Sequence, residues 1–211
     1  WDEDDRIKVW TSTQGAFPVR TSTAAILDMD VSRIKVTPLE IGGGFGGKIP
    51  VYLEPVVSIL SKKSGRPVKA IMERSNVFQA SGPAPGGTIT VKMGTDKDAN
   101  IIAAETSIKL EAGGFPGAAV GAAVQCIFAP YDIPNTRIDG YDIVVNKPKS
   151  AAYRAPGSPQ AAFAAETVSD ELARIHNMDP IDFRLQNASK EDTRRADGVV
   201  FPKIGNVEVL E

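Results

Sequence analysis

Gly42-Gly43-Gly44-Phe45-Gly46-Gly47-Lys48 sets five glycines around one aromatic ring and closes them with a cation. Glycine lacks a Cβ, so such a loop can take positive φ and let another group approach its backbone closely. It also loses the most conformational freedom on ordering, so the run needs a compensating partner. Two readings follow: contact with a ligand, through a concave array of backbone N–H groups, or a turn crowded by neighbouring chain. The run satisfies G-x-G-x-x-G at Gly42, Gly44 and Gly47, but Pro50 stands where a dinucleotide fingerprint needs a helix. The first acid near a strand end is Glu73, late for a ribose contact. The run also falls one residue short of a Walker A loop, and Ile49 occupies the magnesium-binding Ser/Thr position.

The 211 residues make one large domain or two small lobes, enough to bury about 70% of the unfolded surface without staples. Charge is nearly balanced, 24 basic against 26 acidic residues, with no basic stripe, which argues against a nucleic-acid partner. The single cysteine, Cys126, excludes a disulfide framework or a cysteine-ligated iron–sulfur cluster within this chain; it reads as a buried small hydrophobe. The single histidine, His176, reads as a surface or packing residue, because metal sites need several donors. No membrane-spanning apolar run and no signal peptide is visible, and a cytoplasmic location is expected. A start at Trp1 and a final Leu210-Glu211 read as the ends of an excised piece.

Outward from the glycines, Arg33–Leu39 alternates polar and apolar residues and delivers the chain into the loop as a strand. Arg6–Ser12 is a second half-buried strand, and a helix over 17–27 joins the two. A helix over 52–64 follows Pro50, with Val56, Ile59, Leu60 and Lys63 at helical spacing and Gly65 as its stop. Residues 67–73 predict a short strand and 76–87 a loop. Residues 88–93 and 101–111 predict a hairpin. A short helix is expected near 118–128 and a strand over 136–146. A long helix over 158–175 carries Phe163, Val168, Leu172 and Ile175 along one side. Asp179 caps a last helix through Gln186, and the polar tail from Asn187 is expected to loop outward. The fold class is α+β: two lobes, 1–112 and 113–211, of short mixed β-sheets with packed helices.

Three stretches stand out together: Thr11-Ser12-Thr13-Gln14, the glycine run, and Ala152-Tyr153-Arg154-Ala155-Pro156-Gly157-Ser158-Pro159-Gln160 leading to Glu166. In order and spacing they resemble the molybdopterin-binding part of the molybdenum hydroxylases, the family of xanthine dehydrogenase, aldehyde oxidase and aerobic carbon monoxide dehydrogenase. The resemblance covers about residues 6–187, and Ile49-Pro50-Val51-Tyr52 looks most like the carbon-monoxide-dehydrogenase type. It implies a molybdenum–molybdopterin cofactor held by Gln14, Gly43, Gly44, Phe45, Gly46 and Arg154, with no direct protein ligand to the metal. Gln14 would hydrogen-bond an oxygen ligand on molybdenum. Phe45, Ile49, Ala155 and Pro156 would line the substrate pocket. Read from the residues alone, Gln14 is equally a turn residue, Arg154 a surface ion-pairing residue, Phe45 a core anchor, and Glu166 a paired or solvated helix residue.

The family oxidises substrates with water as the oxygen source and uses a glutamate base in a downstream G-E-P motif, which this sequence lacks. The chain alone is therefore expected to be inactive and free of cofactor. Xanthine-oxidising members place an acid where Ile49 stands and an arginine within 113–130, where there is none. Carbon monoxide oxidisers carry a cysteine at the position of Ala155. An aldehyde or an N-heteroaromatic remains as substrate. Iron–sulfur and flavin (FAD) groups would sit on partner subunits or domains. Two other function classes stay open: a nucleotide- or phosphate-binding protein using the glycine loop, and a non-catalytic scaffold module.

Overall fold

The computed structural model describes all residues, Trp1–Glu211. Contacts divide them into two compact units, one of residues 1–84 with 151–154 and the other of 85–150 with 155–211. The expected break at 112/113 falls within a strand that ends at Gly113, whose hydrogen bonds keep the flanking residues in one unit.

In the first unit, strands β1 (Ile7–Thr11) and β2 (Ile34–Pro38) pair in parallel, Ile7 opposite Ile34. Parallel neighbours need a crossover, here α1 (Ala16–Leu27). The helix stops at Asp28, a left-handed residue whose N–H returns to Ala24 and Ala25 carbonyls. Ile7, Val9, Ala24 and Ile34 form the small core. After the glycine loop, α2 (Glu54–Ser64) begins with Pro55 in its first turn and ends at Gly65, φ +63°. It buries Pro55, Ser58 and Ser61, leaving Val56, Ile59 and Leu60 exposed. The segment expected as a strand over 67–73 has no regular structure. It finds no partner, and Ile71 is exposed. The segment expected as a loop begins with α3 (Arg74–Ala80). Glu73 and Asn76 form a reciprocal capping box there, a start signal overlooked in the sequence.

The second unit is a mixed three-stranded sheet, β3 (Gly87–Thr95), β4 (Ile101–Gly113) and β5 (Thr136–Val144), in spatial order 3-4-5. The hairpin β3–β4 is antiparallel, and β5 joins β4 in parallel after a crossover through α4 (Val120–Cys126). The core joins Ile101, Ile108 and Leu110 of β4 to Ile127, Phe128 and Phe183.

The long helix α5 (Ser158–Ile175) has its expected bounds but buries the opposite kind of face. Ala161, Ala165, Ser169 and Ala173 point inward, while Phe163 and Ile175 are 80% and 71% exposed. Small side chains at four-residue spacing let the helix lie close on β3 and α4. Helix α6 (Pro180–Asn187) is capped by Asp179, whose carboxylate accepts the Ile181 N–H at 2.7 Å. The tail does not loop outward. Asn187, Ser189 and Thr193 are buried, and the short α7 (Asn206–Leu210) follows. The Asn206 amide donates to the Pro130 and Ser189 carbonyls.

No helix is long and apolar enough to cross a membrane.

Candidate cofactor-binding wall

Residues 11–14, 41–50 and 152–154 all lie in the first unit. Strand β1 ends by placing Ser12, Thr13 and Gln14 before α1, and β2 ends by sending residues 41–50 back over them. The Leu39 N–H donates to the Thr11 carbonyl at 2.9 Å, which brings the two strand ends together. The Gln14 N–H donates to the Lys48 carbonyl at 3.0 Å, and the Thr13 hydroxyl donates to the same carbonyl at 3.1 Å. The Gln14 Oε1 accepts two loop donors, Gly46 N–H at 2.9 Å and Lys48 N–H at 3.2 Å. An amide oxygen only accepts and its nitrogen only donates, so these bonds fix which way the amide points. Nε2 is left with no protein acceptor, and the side chain is exposed. The Lys48 ammonium turns inward, donating to Ser12 Oγ at 3.0 Å and to the Ile41 carbonyl.

Two of the glycines are required by crowding from the protein itself. A Cβ on Gly44 would lie 2.5 Å from the Gln14 side-chain carboxamide. One on Gly46, φ +94°, would lie 2.6 Å from the Ala152 carbonyl oxygen. Gly42, φ +65°, faces open space. The crowded-turn reading thus accounts for Gly44 and Gly46, while the N–H groups of Gly43, Gly44 and Phe45 remain without protein acceptors. Phe45 sits at φ 50°, a conformation costing a side-chain-bearing residue about 1–2 kcal/mol. Its carbonyl accepts the Arg154 N–H at 2.9 Å, so the third motif reaches the glycine loop directly. Phe45 is 62% exposed, which removes the core-anchor reading; Ile49 and Tyr153 are exposed as well. Arg154 is exposed and its guanidinium makes no ion pair or hydrogen bond with the protein, against the ion-pairing alternative.

The structure also weighs against a phosphate loop. A Walker lysine must reach phosphate oxygens, and the Lys48 ammonium is engaged within its own loop. Glu73, the only acid near the ribose-binding spacing, is a helix cap.

In the second unit, Ala155 takes φ 53° and is exposed, and Pro156 is half-buried. Gly157 at φ +84° starts α5. A Cβ there would lie 2.3 Å from the Ala119 carbonyl. Glu166 is a structural residue: it accepts from the Tyr131 hydroxyl at 2.8 Å and from the Arg184 guanidinium at 2.7 Å. Burial, with Glu166 alongside, pushes the Tyr131 hydroxyl well above its ordinary pKa. Burial works against the Arg184 charge, but bonds to Asp170 and Glu166 outweigh it and hold the guanidinium above its ordinary value. Cys126 is exposed, contrary to the sequence expectation: it is the last residue of the short α4, and its sulfur accepts from Ser158 Oγ at 3.1 Å. His176 is 2.7 Å from Thr95 Oγ1 and has a packing role.

The sequence assigns no role to Ser12, Thr13 or Tyr153, and to Lys48 only that of a Walker lysine. Their signal was present as the quoted motifs, but only the fold shows that the lysine reaches back to the strand-end triplet.

The chain is 31% identical over 216 residues to the nicotinate dehydrogenase large molybdopterin subunit of Eubacterium barkeri, covering 100% of this chain and 51% of that one. It is 32% identical over 220 residues to the xanthine dehydrogenase molybdenum-binding subunit of Escherichia coli O157:H7, covering 100% of this chain and 29% of that one. The chain thus spans about half, or less, of the length of these relatives. Among solved structures, aldehyde oxidoreductase from Desulfovibrio desulfuricans ATCC 27774 superposes with a TM-score of 0.89 at 24% identity, covering 99% of this chain and 24% of that one. Quinoline 2-oxidoreductase from Pseudomonas putida 86 gives 0.87 at 25% identity, covering 96% and 27%. The model of the molybdopterin cofactor-binding domain matches residues 1–188, and with its motifs meeting at one wall this chain belongs to that family, the molybdopterin-binding part of the molybdenum hydroxylases.

Proposed function

We propose that this chain supplies one wall of a molybdenum–molybdopterin site in an oxidoreductase large subunit. The whole protein, on this reading, hydroxylates an aldehyde or an N-heteroaromatic with water as the oxygen source. The observation that carries the proposal is the Gln14 amide. Both loop N–H donors hold its oxygen, so Nε2–H is a fixed outward donor, as an oxygen ligand on a metal requires.

The residues fit the group in two further respects. Gly43, Gly44 and Phe45 present free backbone N–H groups from a loop in which a side chain at Gly46 would meet the Ala152 backbone and one at Gly44 would displace Gln14. Arg154 is tied to the loop by its backbone N–H to the Phe45 carbonyl, and its exposed guanidinium has no carboxylate partner. In this assignment Gln14, Gly43, Gly44, Phe45, Gly46 and Arg154 hold the cofactor. When bound, the cofactor supplies two-electron redox chemistry and the transfer of oxygen derived from water. Gln14 keeps its amide protons and orients an oxygen acceptor without competing as a ligand. The Phe45 ring excludes water and offers a stacking face to a planar substrate. Ile49 lines the substrate side. Apolar Ile49 places no acid beside that surface, and Ala155 offers no thiolate for a second metal.

The substrate class is supported by the relatives' own names, which include nicotinate dehydrogenase, nicotine 6-hydroxylase and aldehyde oxidoreductase. Electrons leave to iron–sulfur and flavin groups on partner subunits or domains, and the rest of the large subunit supplies the general-base glutamate. A cytoplasmic location belongs to the same reading. Metal analysis with pterin fluorescence on the full-length protein tests it. Stoichiometric molybdenum with pterin is expected, and catalytically active full-length protein with neither would refute it.

A further inference from the structure

Every residue of the Ser12–Gln14 triplet is bonded to Lys48. Its ammonium donates to Ser12 Oγ. Its carbonyl accepts from the Thr13 hydroxyl and from the Gln14 N–H. Its own N–H donates to Gln14 Oε1. The ammonium also reaches the Ile41 carbonyl, seven residues back at the start of the loop. The two ends of the glycine run are thereby tied to each other and to the residue before Thr13. Five glycines in this run would otherwise leave the loop little local preference for one shape.

We propose that Lys48 is a positioning residue for the cofactor wall: its ammonium locks the glycine loop shut over Gln14, and so holds the Gln14 amide with Nε2–H outward. This rests on the cofactor assignment above. Without the lock, the loop N–H groups of Gly46 and Lys48 no longer fix the amide oxygen, and the carboxamide can rotate to present its oxygen instead. An outward oxygen would repel an oxygen ligand rather than donate to it. A charged donor contributes more than a neutral one, and its acceptors here are a carbonyl and a hydroxyl, not a competing carboxylate. The ammonium therefore acts as a clamp and not as an ion-pair partner.

The test is a double-substitution cycle in the full-length enzyme. Lys48→Met keeps the length of the stem and every backbone donor and acceptor, and removes the ammonium. Gln14→Ala removes the group it is said to position. The readouts are molybdenum retained after extended dialysis and hydrogen exchange at the Gly46 and Lys48 amides. K48M is expected to lower retained molybdenum about tenfold and to accelerate exchange at both amides. K48M added to Q14A is expected to cause no further loss of molybdenum. The milder Ser12→Ala, which removes one of the two ammonium acceptors, should move both readouts in the same direction by about threefold. It serves if K48M does not fold. A full, additive loss in the double variant, or unchanged retention in K48M, overturns the proposal. Wild-type protein lacking molybdenum would instead sink the cofactor assignment; in that case unchanged amide exchange in K48M would still overturn the clamp.

Discussion

Replacing Gly46 by alanine tests the glycine loop where its geometry is most demanding. At φ +94° the residue lies outside the small left-handed basin open to L side chains, so backbone strain on the order of 1–3 kcal/mol is expected. The added Cβ would also lie 2.6 Å from the Ala152 carbonyl oxygen and 2.8 Å from the Ala152 Cβ. Those are backbone-anchored atoms, so relief requires moving the 151–154 segment, and overpacking costs typically about 1–3 kcal/mol. The two effects sum to roughly 2–6 kcal/mol. Gly42→Ala is the control. At φ +65° it meets nothing within 4 Å, so about 1–2 kcal/mol is expected. Both tryptophans, Trp1 and Trp10, belong to the first unit, so urea unfolding followed by tryptophan fluorescence reports the stability of that unit. G46A should be the less stable by about 2 kcal/mol or more. Midpoints within about 0.5 kcal/mol of each other would show that the loop is not packed on residue 152, and would refute the reasoning.

Three other perturbations have definite outcomes. Asn187→Ala strands the buried Ile101 N–H and the Ala99 carbonyl. It should cost about 2–4 kcal/mol in chemical denaturation, since an unsatisfied buried polar group costs about 1–3 kcal/mol. Ala165→Leu should destabilise the protein by about 1–3 kcal/mol through overpacking, whereas Phe163→Ser, at an exposed site, should change stability by less than about 0.5 kcal/mol; a reversed order would place the other face of α5 inward. Asp142 accepts the Gly117 and Ala118 N–H groups, and these backbone bonds hold its carboxyl below the ordinary value. A carboxyl depressed on folding adds stability above its unfolded pKa and loses it as pH falls through the folded value. Asp142→Asn should therefore flatten the fall in stability below about pH 4, as read by unfolding midpoints across an acid series.

The sequence showed the elements that follow a single period. The alternation in β1 and β2 and the bounds of α5 match what their residues dictate. Faces were less legible. Phe163 and Ile175 are the largest apolar residues on α5, yet close approach of the helix selects the alanines and Ser169. The capping box at Glu73 was hidden behind an apolar run that resembled a strand, and the tail looked solvated because the amide bonds of Asn187 and Asn206 have no sequence period. Within the candidate site, the motifs identified Gln14, the glycines and Arg154. Lys48 fits only the lysine of an incomplete Walker A loop in sequence, because its partners at Ser12, Thr13 and Gln14 lie 34 to 36 residues away in the chain.

The central claim concerns the outward Gln14 Nε2–H donor, and Gln14→Glu in the full-length protein tests it most directly. A carboxylate can still accept the Gly46 and Lys48 N–H groups, so the loop keeps its fold, but it has no proton to donate. Wild-type protein is expected to carry stoichiometric molybdenum with pterin fluorescence, and Q14E to lose most of both, while the cofactor-free forms of the two unfold at the same midpoint. Full molybdenum and pterin content in Q14E would contradict the account.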